Sequence, residues 1–269
     1  MDMDQKTDQK IIQEQPIGVF DSGVGGISVL SEMVRLLPHE DYLFFGDSAN
    51  APYGTRSADE ICSLTLGHVK NLYDRGIKAI VIACNTATSA AIGELRRIYT
   101  DIPVIGIEPA LKPAVQTGPH PRVLVLATPG TVRGRKWKRL EEHYEQFATV
   151  VSIPCPELVE YVEQGITEGP EIETFLEQRL RPYMQEQVDA VVLGCTHYPF
   201  VRGEIRRLVG EGIPILDGSE GTARELRRRL MQQNLLSDRS RPGEVTFTMS
   251  RPGMEDLCRL LLEKRLRES

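Results

Sequence analysis

The sequence lacks the features that mark membrane proteins, secreted proteins and non-specific nucleic-acid binders. No apolar run is long enough to cross a bilayer, and the first fifteen residues are polar, without the apolar core of a secretion signal. The formal net charge is -6, whereas non-specific binding of nucleic acid requires a basic surface. We therefore expect a cytoplasmic protein that has neither a nucleic acid nor a membrane as a partner.

Cysteine is scarce, and its spacing excludes the common redox and zinc motifs. The chain has 5 cysteines, none of them in a CxxC pair, at positions 62, 84, 155, 195 and 258. An odd number of cysteines without a secretion signal indicates reduced thiols. No cluster of His, Cys and Asp has metal-ligand spacing, and no lysine-centred motif for a pyridoxal Schiff base is apparent. We therefore expect no metal and no cofactor.

Short apolar runs alternate along the chain with longer helical patterns, which is typical of an α/β fold. Many of the runs are apolar on both faces, as are the strands of a covered parallel sheet. The eight predicted strands are 17–20, 42–45, 79–83, 104–107, 123–127, 149–153, 190–193 and 213–216. A helix is predicted to begin at Ser57, because Glu60 completes a capping box three residues later.

A faint internal repeat predicts that the fold consists of two related halves. The segment AIVIACNT at 79–86 resembles AVVLGCTH at 190–197, and IPVI at 102–105 resembles IPIL at 213–216 at the same offset. A third pair of apolar runs places Ser22 opposite Thr128. We expect a mobile tail, a first α/β domain and a pseudo-symmetric second domain, formed by residues 1–15, by 16–108 with 219–269, and by 109–218 respectively.

Cys84 and Cys195 are the strongest candidates for chemistry, because each ends a predicted strand and opens a turn into a helix. A helix N-terminus carries free N–H groups and a positive dipole end, which lower the pKa of a thiol and can hold a carboxylate. Asn85, Thr86 and Thr196 are cap-type residues beside the two thiols. The alternative, which applies best to the other three cysteines, is a small buried apolar residue.

Three further segments carry polar groups that suit a small charged ligand. The turn DSGVGG at 21–26 supplies the Asp21 carboxylate, the Ser22 hydroxyl and glycines that permit close backbone approach to a ligand. Asp21 is placed to polarise a thiol or to hold an ammonium group. Tyr53 and Gly54 lie in a loop after the second strand, and His197 follows Cys195 closely enough to carry protons.

These motifs closely resemble those of the bacterial glutamate racemases, in the aspartate/glutamate racemase superfamily. The resemblance rests on VFDSGVGG at 19–26, FGD at 45–47 with PYG at 52–54, IACNTAT at 82–88 and LGCTHYP at 193–199. It runs from about Pro16 almost to the C-terminus. It implies two pseudo-symmetric α/β domains with mainly parallel sheets, an active site in the cleft between them, and a homodimer.

The resemblance also implies roles for individual residues. Cys84 and Cys195 are then the two proton donors and acceptors, and Asp21 and His197 assist them in catalysis. The substrate contacts that it implies are Asp21, Ser22, Tyr53, Gly54, Asn85, Thr86, Thr196 and His197, to which the repeat adds Thr128. Asp47 and Glu163 match supporting acidic residues. The segments 130–137 and 217–219 depart from the usual pattern.

The function predicted by these observations is the interconversion of L- and D-glutamate, which supplies D-glutamate for peptidoglycan. One thiol on each face of the substrate removes and returns the Cα proton without a cofactor. The alternatives are an aspartate racemase or another two-cysteine racemase, a thiol redox protein, and a non-catalytic binding or regulatory protein. A redox pair requires the two sulfurs to approach disulfide distance, which leaves no room for a substrate between them.

Overall fold

The computed structural model describes residues 9–268, and within them nine strands form two parallel sheets. The first sheet has five strands in the order β4-β3-β1-β2-β9. They are β1 (Ile17–Asp21), β2 (Tyr42–Gly46), β3 (Ala79–Ile82), β4 (Val104–Gly106) and β9 (Val245–Met249). All of its strand pairs are parallel, as the two-sided apolar runs predict.

The second sheet repeats the topology of the first. Its order is β6-β5-β7-β8, and its strands are β5 (Arg122–Ala127), β6 (Thr149–Pro154), β7 (Ala190–Leu193) and β8 (Ile215–Asp217). When β1 to β4 are matched with β5 to β8 in chain order, the two sheets have the same strand order and the same parallel direction. The predicted α/β fold with two pseudo-symmetric halves is therefore confirmed.

Helices cover the faces of both sheets and connect the strands. They are α1 (Ile27–Leu36), α2 (Ala58–Tyr73), α3 (Asn85–Ile98), α4 (Leu111–Ala114), α5 (Pro129–Arg133), α6 (Arg135–Tyr144), α7 (Glu157–Glu163), α8 (Pro170–Leu180), α9 (Arg202–Val209), α10 (Ser219–Gln232) and α11 (Glu255–Arg267). The predicted cap of α2 is present, since Ser57 Oγ accepts a hydrogen bond from Glu60 N at 3.3 Å. None of the helices within residues 9–268 has the length and apolar character to span a bilayer.

The C-terminal part of the chain returns to the first sheet, and its strand was not predicted. β9 pairs with β2, while α10 and α11 pack against α1. The sequence Val-Thr-Phe-Thr-Met alternates apolar and polar residues, which is the pattern of a half-buried edge strand. The strand was not predicted because its alternating pattern is weaker than a run that is apolar on both faces.

Part of the predicted mobile tail is structured. Residues 9–13 are helical, and the side-chain amides of Gln9 and Gln13 both donate to the Asn234 carbonyl at 2.9 Å. Lys78 Nζ donates to the Gln13 carbonyl on the other side. This short segment is therefore attached to the body of the protein, and residues 1–8 lie outside the described residues.

Candidate active site

The two candidate thiols occupy equivalent places in the two sheets and line one cavity. Cys84 is the second residue after β3, and Cys195 is the second residue after β7. Both are buried free thiols, and both line the same small cavity. The rest of its wall comes from both halves of the chain and is mostly polar, namely Ser22, Pro52, Tyr53, Gly54, Asn85, Thr86, Thr128, Thr131, Val159, Thr196 and His197. The cavity therefore contains every predicted substrate contact except Asp21.

Cys84 is the N-cap of α3 and is surrounded by hydrogen-bond donors. Its Sγ accepts from Ala87 N at 3.4 Å and from Ser22 Oγ at 3.3 Å. Burial nevertheless raises the pKa of this thiol to about 12, and the charge of Asp21 adds to the rise, whereas the Ser22 and Ala87 bonds oppose it. The helix N-terminus does lower the pKa of Cys84 through the Ala87 N–H, as expected. The expected net decrease is wrong, because desolvation outweighs the two donors.

Cys195 has a different neighbourhood, built on a histidine and a carboxylate. His197 Nδ1 lies 3.7 Å from Cys195 Sγ, and its Nε2 lies 2.7 Å from Glu163 Oε1. Burial opposes the charged imidazolium, but the hydrogen bonds with Cys195 and Glu163 raise the pKa of His197 well above its ordinary value. Burial likewise opposes ionisation of Glu163, but the His197 hydrogen bond lowers its pKa overall. The two thiols are therefore chemically unequal at rest.

The glycine-rich turn after β1 fits against side chains of the second sheet. A Cβ on Gly23 would lie 1.8 Å from Glu163 Oε1, and one on Gly25 would lie 2.4 Å from His197 Nδ1. Val24 N donates to Glu163 Oε1 at 2.7 Å. The turn was expected to approach a ligand closely. In this structure its backbone instead approaches the side chains of Glu163 and His197, which occupy the space beside it.

Asp21 lies behind the cavity wall and joins the two halves. Its Oδ1 accepts from Gly23 N at 2.9 Å, and its Oδ2 accepts from Thr196 Oγ1 at 3.1 Å. Complete burial raises the pKa of Asp21 to about 6, although the charge of His197 and the two hydrogen bonds oppose the rise. Asp21 thus contacts the cavity residue Thr196 directly, and its carboxyl group has a pKa close to neutral pH.

A second carboxylate, Asp47, supports the tyrosine of the cavity. Tyr53 Oη donates to Asp47 Oδ2 at 2.7 Å, and His68 Nε2 lies 3.0 Å from the same oxygen. Burial opposes ionisation of Asp47, but the hydrogen bonds from His68 and Tyr53 bring its pKa well below the ordinary range. Burial and the neighbouring Asp47 raise the pKa of Tyr53, so that its phenol stays protonated.

Three threonine hydroxyls meet where the two sheets come together. The Oγ1 atoms of Thr86, Thr128 and Thr131 lie 3.1 to 3.2 Å from one another. Thr128 also caps α5 by accepting from Thr131 N, also at 3.2 Å. Asn85 Oδ1 is buried and has no partner among the described residues. The corner therefore offers hydroxyl groups and a buried amide oxygen for a ligand.

Sequence reasoning missed several residues that hold the site together. Ser48 Oγ donates to Glu163 Oε2 at 3.0 Å, and Ser28 Oγ donates to the Thr196 carbonyl at 2.8 Å, so that both link the two halves. Ser48 directly follows Asp47 and belongs to a polar loop, which was a usable signal. Ser28 and His68 lie inside helices, where nothing in the local pattern distinguishes them. Within residues 9–268, no group of three or more His, Cys, Asp or Glu is arranged to hold a metal ion.

Comparison with known proteins agrees with this geometry. The profile of the Asp/Glu/Hydantoin racemase family matches residues 17–226. The glutamate racemase of Clostridium acetobutylicum is 50% identical over 239 residues, which is 89% of this chain and 93% of the relative. The structure of the Escherichia coli glutamate racemase in complex with L-glutamate and the activator UDP-MurNAc-ala has a TM-score of 0.81 at 31% identity and covers 93% of this chain and 95% of its own.

The structure of the Francisella tularensis glutamate racemase in complex with D-glutamate has a TM-score of 0.79 at 30% identity and covers 95% of this chain and 94% of its own. The chain therefore belongs to the Asp/Glu/Hydantoin racemase family, which makes it an isomerase. The motifs predicted a resemblance to the glutamate racemases within that family, and these comparisons confirm it.

Proposed function

We propose that this protein interconverts L- and D-glutamate with Cys84 and Cys195 as its two acid/base groups. The observation that carries the proposal is the placement of two buried thiols after equivalent strands, at one cavity lined by polar groups. Racemisation at Cα requires a base on one face and an acid on the other, and two facing thiols supply both. The glutamate bound to the two relatives supports the choice of substrate.

The unequal surroundings of the thiols assign their roles at rest. Cys84, with its pKa raised to about 12, is the protonated member of the pair. The protonated His197 places a positive charge beside Cys195 Sγ, which is the sign that a thiolate requires. With L-glutamate, the Cys195 thiolate takes the Cα proton, and Cys84 delivers its own proton to the opposite face. With D-glutamate the two roles reverse.

The remaining wall residues bind the substrate and stabilise the carbanion. The free N–H groups at the start of α3 and the hydroxyls of Thr86 and Thr128 are donors for carboxylates. Such donors also stabilise negative charge that develops when the Cα proton leaves. We assign the ammonium group to the side of Asp21 and Ser22, since Asp21 supplies the negative charge.

The substrate is tested by circular dichroism of the purified protein with L-glutamate, D-glutamate and L-aspartate, without added pyridoxal phosphate or metal. We expect both glutamate enantiomers to reach equal amounts, because they have equal free energy in an achiral solvent. Faster turnover of aspartate than of glutamate would identify the protein as an aspartate racemase instead. No turnover of any of the three would leave a binding or regulatory role.

The two-thiol mechanism is tested in deuterium oxide by proton NMR of the Cα signal. Starting from L-glutamate, early D-glutamate carries deuterium, because Cys84 has exchanged with solvent, whereas unreacted L-glutamate stays protonated. Cys84→Ser and Cys195→Ser should each abolish racemisation in both directions, because a hydroxyl is a far weaker acid than a thiol. Near-normal racemisation by either variant would refute the assignment.

The wider role and assembly are proposed on the resemblance to the relatives. We propose that the D-glutamate it produces is used for peptidoglycan synthesis. Rescue of a bacterial D-glutamate auxotroph by this chain tests that role. We expect a homodimer, which sedimentation over a range of concentrations tests directly. The division into residues 16–108 with 219–269 and residues 109–218 follows the two sheets, and limited proteolysis near the junctions tests it.

A further inference from the structure

His68 takes part in a chain of contacts that ends at the wall of the thiol cavity. It lies on α2, and its side chain is 20% exposed. Its Nε2 and the Tyr53 hydroxyl both lie against one oxygen of Asp47, at 3.0 Å and 2.7 Å. Tyr53 in turn lines the cavity between the two thiols. The imidazole is therefore connected to the site through one carboxylate and one phenol.

Packing holds the His68 ring in a fixed orientation. The ring stacks on Phe45 with a centroid distance of 4.6 Å and an interplanar angle of 27°, and on Phe20 at 5.8 Å and 19°. Phe20 and Phe45 lie on the adjacent strands β1 and β2. The ring thus has two separable properties, an aromatic surface that packs helix α2 on the sheet and a nitrogen donor that faces Asp47.

The donor matters because Asp47 has other groups with which it can pair. Asn50 Nδ2 lies 3.0 Å from both Asp47 oxygens, and Ser250 contributes a further hydrogen bond. Without the imidazole, the carboxylate loses a donor on the oxygen that also accepts from Tyr53, and Asn50 and Ser250 are left to hold it less firmly in that orientation. The Tyr53 hydroxyl then loses its fixed acceptor, and the phenol no longer holds one position against the cavity.

We propose that His68 is a positioning residue of this active site: it fixes the Asp47 carboxylate and, through it, sets the Tyr53 side chain for substrate binding. This inference rests on the proposed function, because the effect is on the affinity for glutamate. The polar contact of His68 is with Asp47 and not with a thiol, so its effect on the site passes through Asp47 and Tyr53. Its loss therefore weakens substrate binding more than it slows proton transfer.

Two variants separate the donor from the aromatic surface. His68→Phe keeps the stack on Phe45 and Phe20 and removes the donor, whereas His68→Gln restores an N–H donor and removes the stack. Loss of one hydrogen bond to a charged group predicts that His68→Phe raises KM for glutamate about tenfold, with kcat within about threefold of the unaltered protein. His68→Gln should recover most of the affinity. A purely structural role predicts the reverse order of the two variants.

A double-variant cycle with Tyr53→Phe tests the route. If His68 acts through the Tyr53 hydroxyl, His68→Phe adds almost nothing to KM once that hydroxyl is absent. The inference would be overturned if the increases in KM of the two single variants multiply in the double variant. It would also be overturned by an unchanged KM in His68→Phe, or by equal increases in KM in His68→Phe and His68→Gln. Far-UV circular dichroism verifies folding, and His68→Leu, which also removes the donor, supplies a second cycle with Tyr53→Phe if the Phe variant unfolds.

The same cycle is also measured by urea unfolding of the ligand-free protein. Coupling between His68→Phe and Tyr53→Phe is expected there too, because both contacts share one Asp47 oxygen. Absence of that coupling would overturn the inference even if glutamate racemisation is established. Failure of the unaltered protein to turn over glutamate would instead overturn the proposed function, while the unfolding cycle still reports on the contact chain.

Discussion

Asp21 is expected to lower the stability of the fold at neutral pH, and its replacement by Asn should reveal this. Burial raises the pKa of this carboxyl from its ordinary value of 3.8 to about 6. The folded protein thus binds the proton more tightly than the unfolded chain does, so that ionisation destabilises the folded state as pH rises from 3.8 to about 6. The difference between the two pKa values corresponds to roughly 3 kcal/mol of unfolding free energy.

Asp21→Asn removes this penalty while retaining the contacts of the side chain. The amide oxygen can accept from Gly23 N, and the amide nitrogen can donate to Thr196 Oγ1, in place of the bonds of 2.9 Å and 3.1 Å that the carboxylate accepts. We expect the variant to be more stable than the unaltered protein at pH 7 by up to roughly 3 kcal/mol, with most of the gain lost at pH 4. Racemisation should fall strongly in the same variant, because the site loses the charge assigned to the ammonium group.

Urea unfolding at pH 4 and pH 7 measures the effect. Asp256→Asn is the matched control, since the Asp256 side chain is 99% exposed on α11, and it should change stability little at either pH. The charge of Asp21 also contributes to the raised pKa of Cys84, so alkylation of Cys84 at pH 8 should be faster in Asp21→Asn. A variant less stable than the unaltered protein at pH 7, or a gain of equal size at both pH values, would refute this reasoning.

Three further substitutions test other parts of the structure. Glu163→Gln should lower the pKa of His197, because the charge that stabilises the imidazolium is lost, and should reduce kcat by about tenfold or more. Racemisation measured from pH 6 to 9 tests this, and an unchanged pH profile would argue against the coupling of Glu163 to His197. Gly25→Ala should abolish activity, since its Cβ would lie 2.4 Å from His197 Nδ1, and retention of normal turnover would show that the turn can shift. Ser57→Ala should cost about 1 kcal/mol in urea unfolding by loss of the bond to Glu60 N and leave kcat and KM unchanged, which makes it a control for stability alone.

The fold and the thiols were accessible from sequence because their signals are local. An apolar run that ends in a cysteine and opens a helix carries its strand, its turn and its chemistry within a few residues, and the repeat of that pattern places Cys84 and Cys195 at matching ends of β3 and β7. The capping box at Ser57 is equally local. The structure retains these local features because tertiary packing favours the same strands, turns and helix starts.

What sequence could not supply depends on burial and on contacts between distant segments. The pKa of Cys84 is raised because desolvation and the charge of Asp21 act together, and neither is visible in the residues around the cysteine. His68 lies in the middle of α2, and only the packed structure brings it to Asp47. β9 was missed because an edge strand that is half exposed has a weaker pattern than a buried one.

The return of the chain to its first sheet determines the order in which the protein can be completed during synthesis. β9 lies at the edge of the first sheet beside β2, and α10 and α11 cover α1, yet all three follow the last strand of the second sheet along the chain. The second sheet, from β5 to β8, is finished before them. The face of α1 that α10 and α11 cover in the folded protein therefore stays uncovered until the whole second sheet has been synthesised.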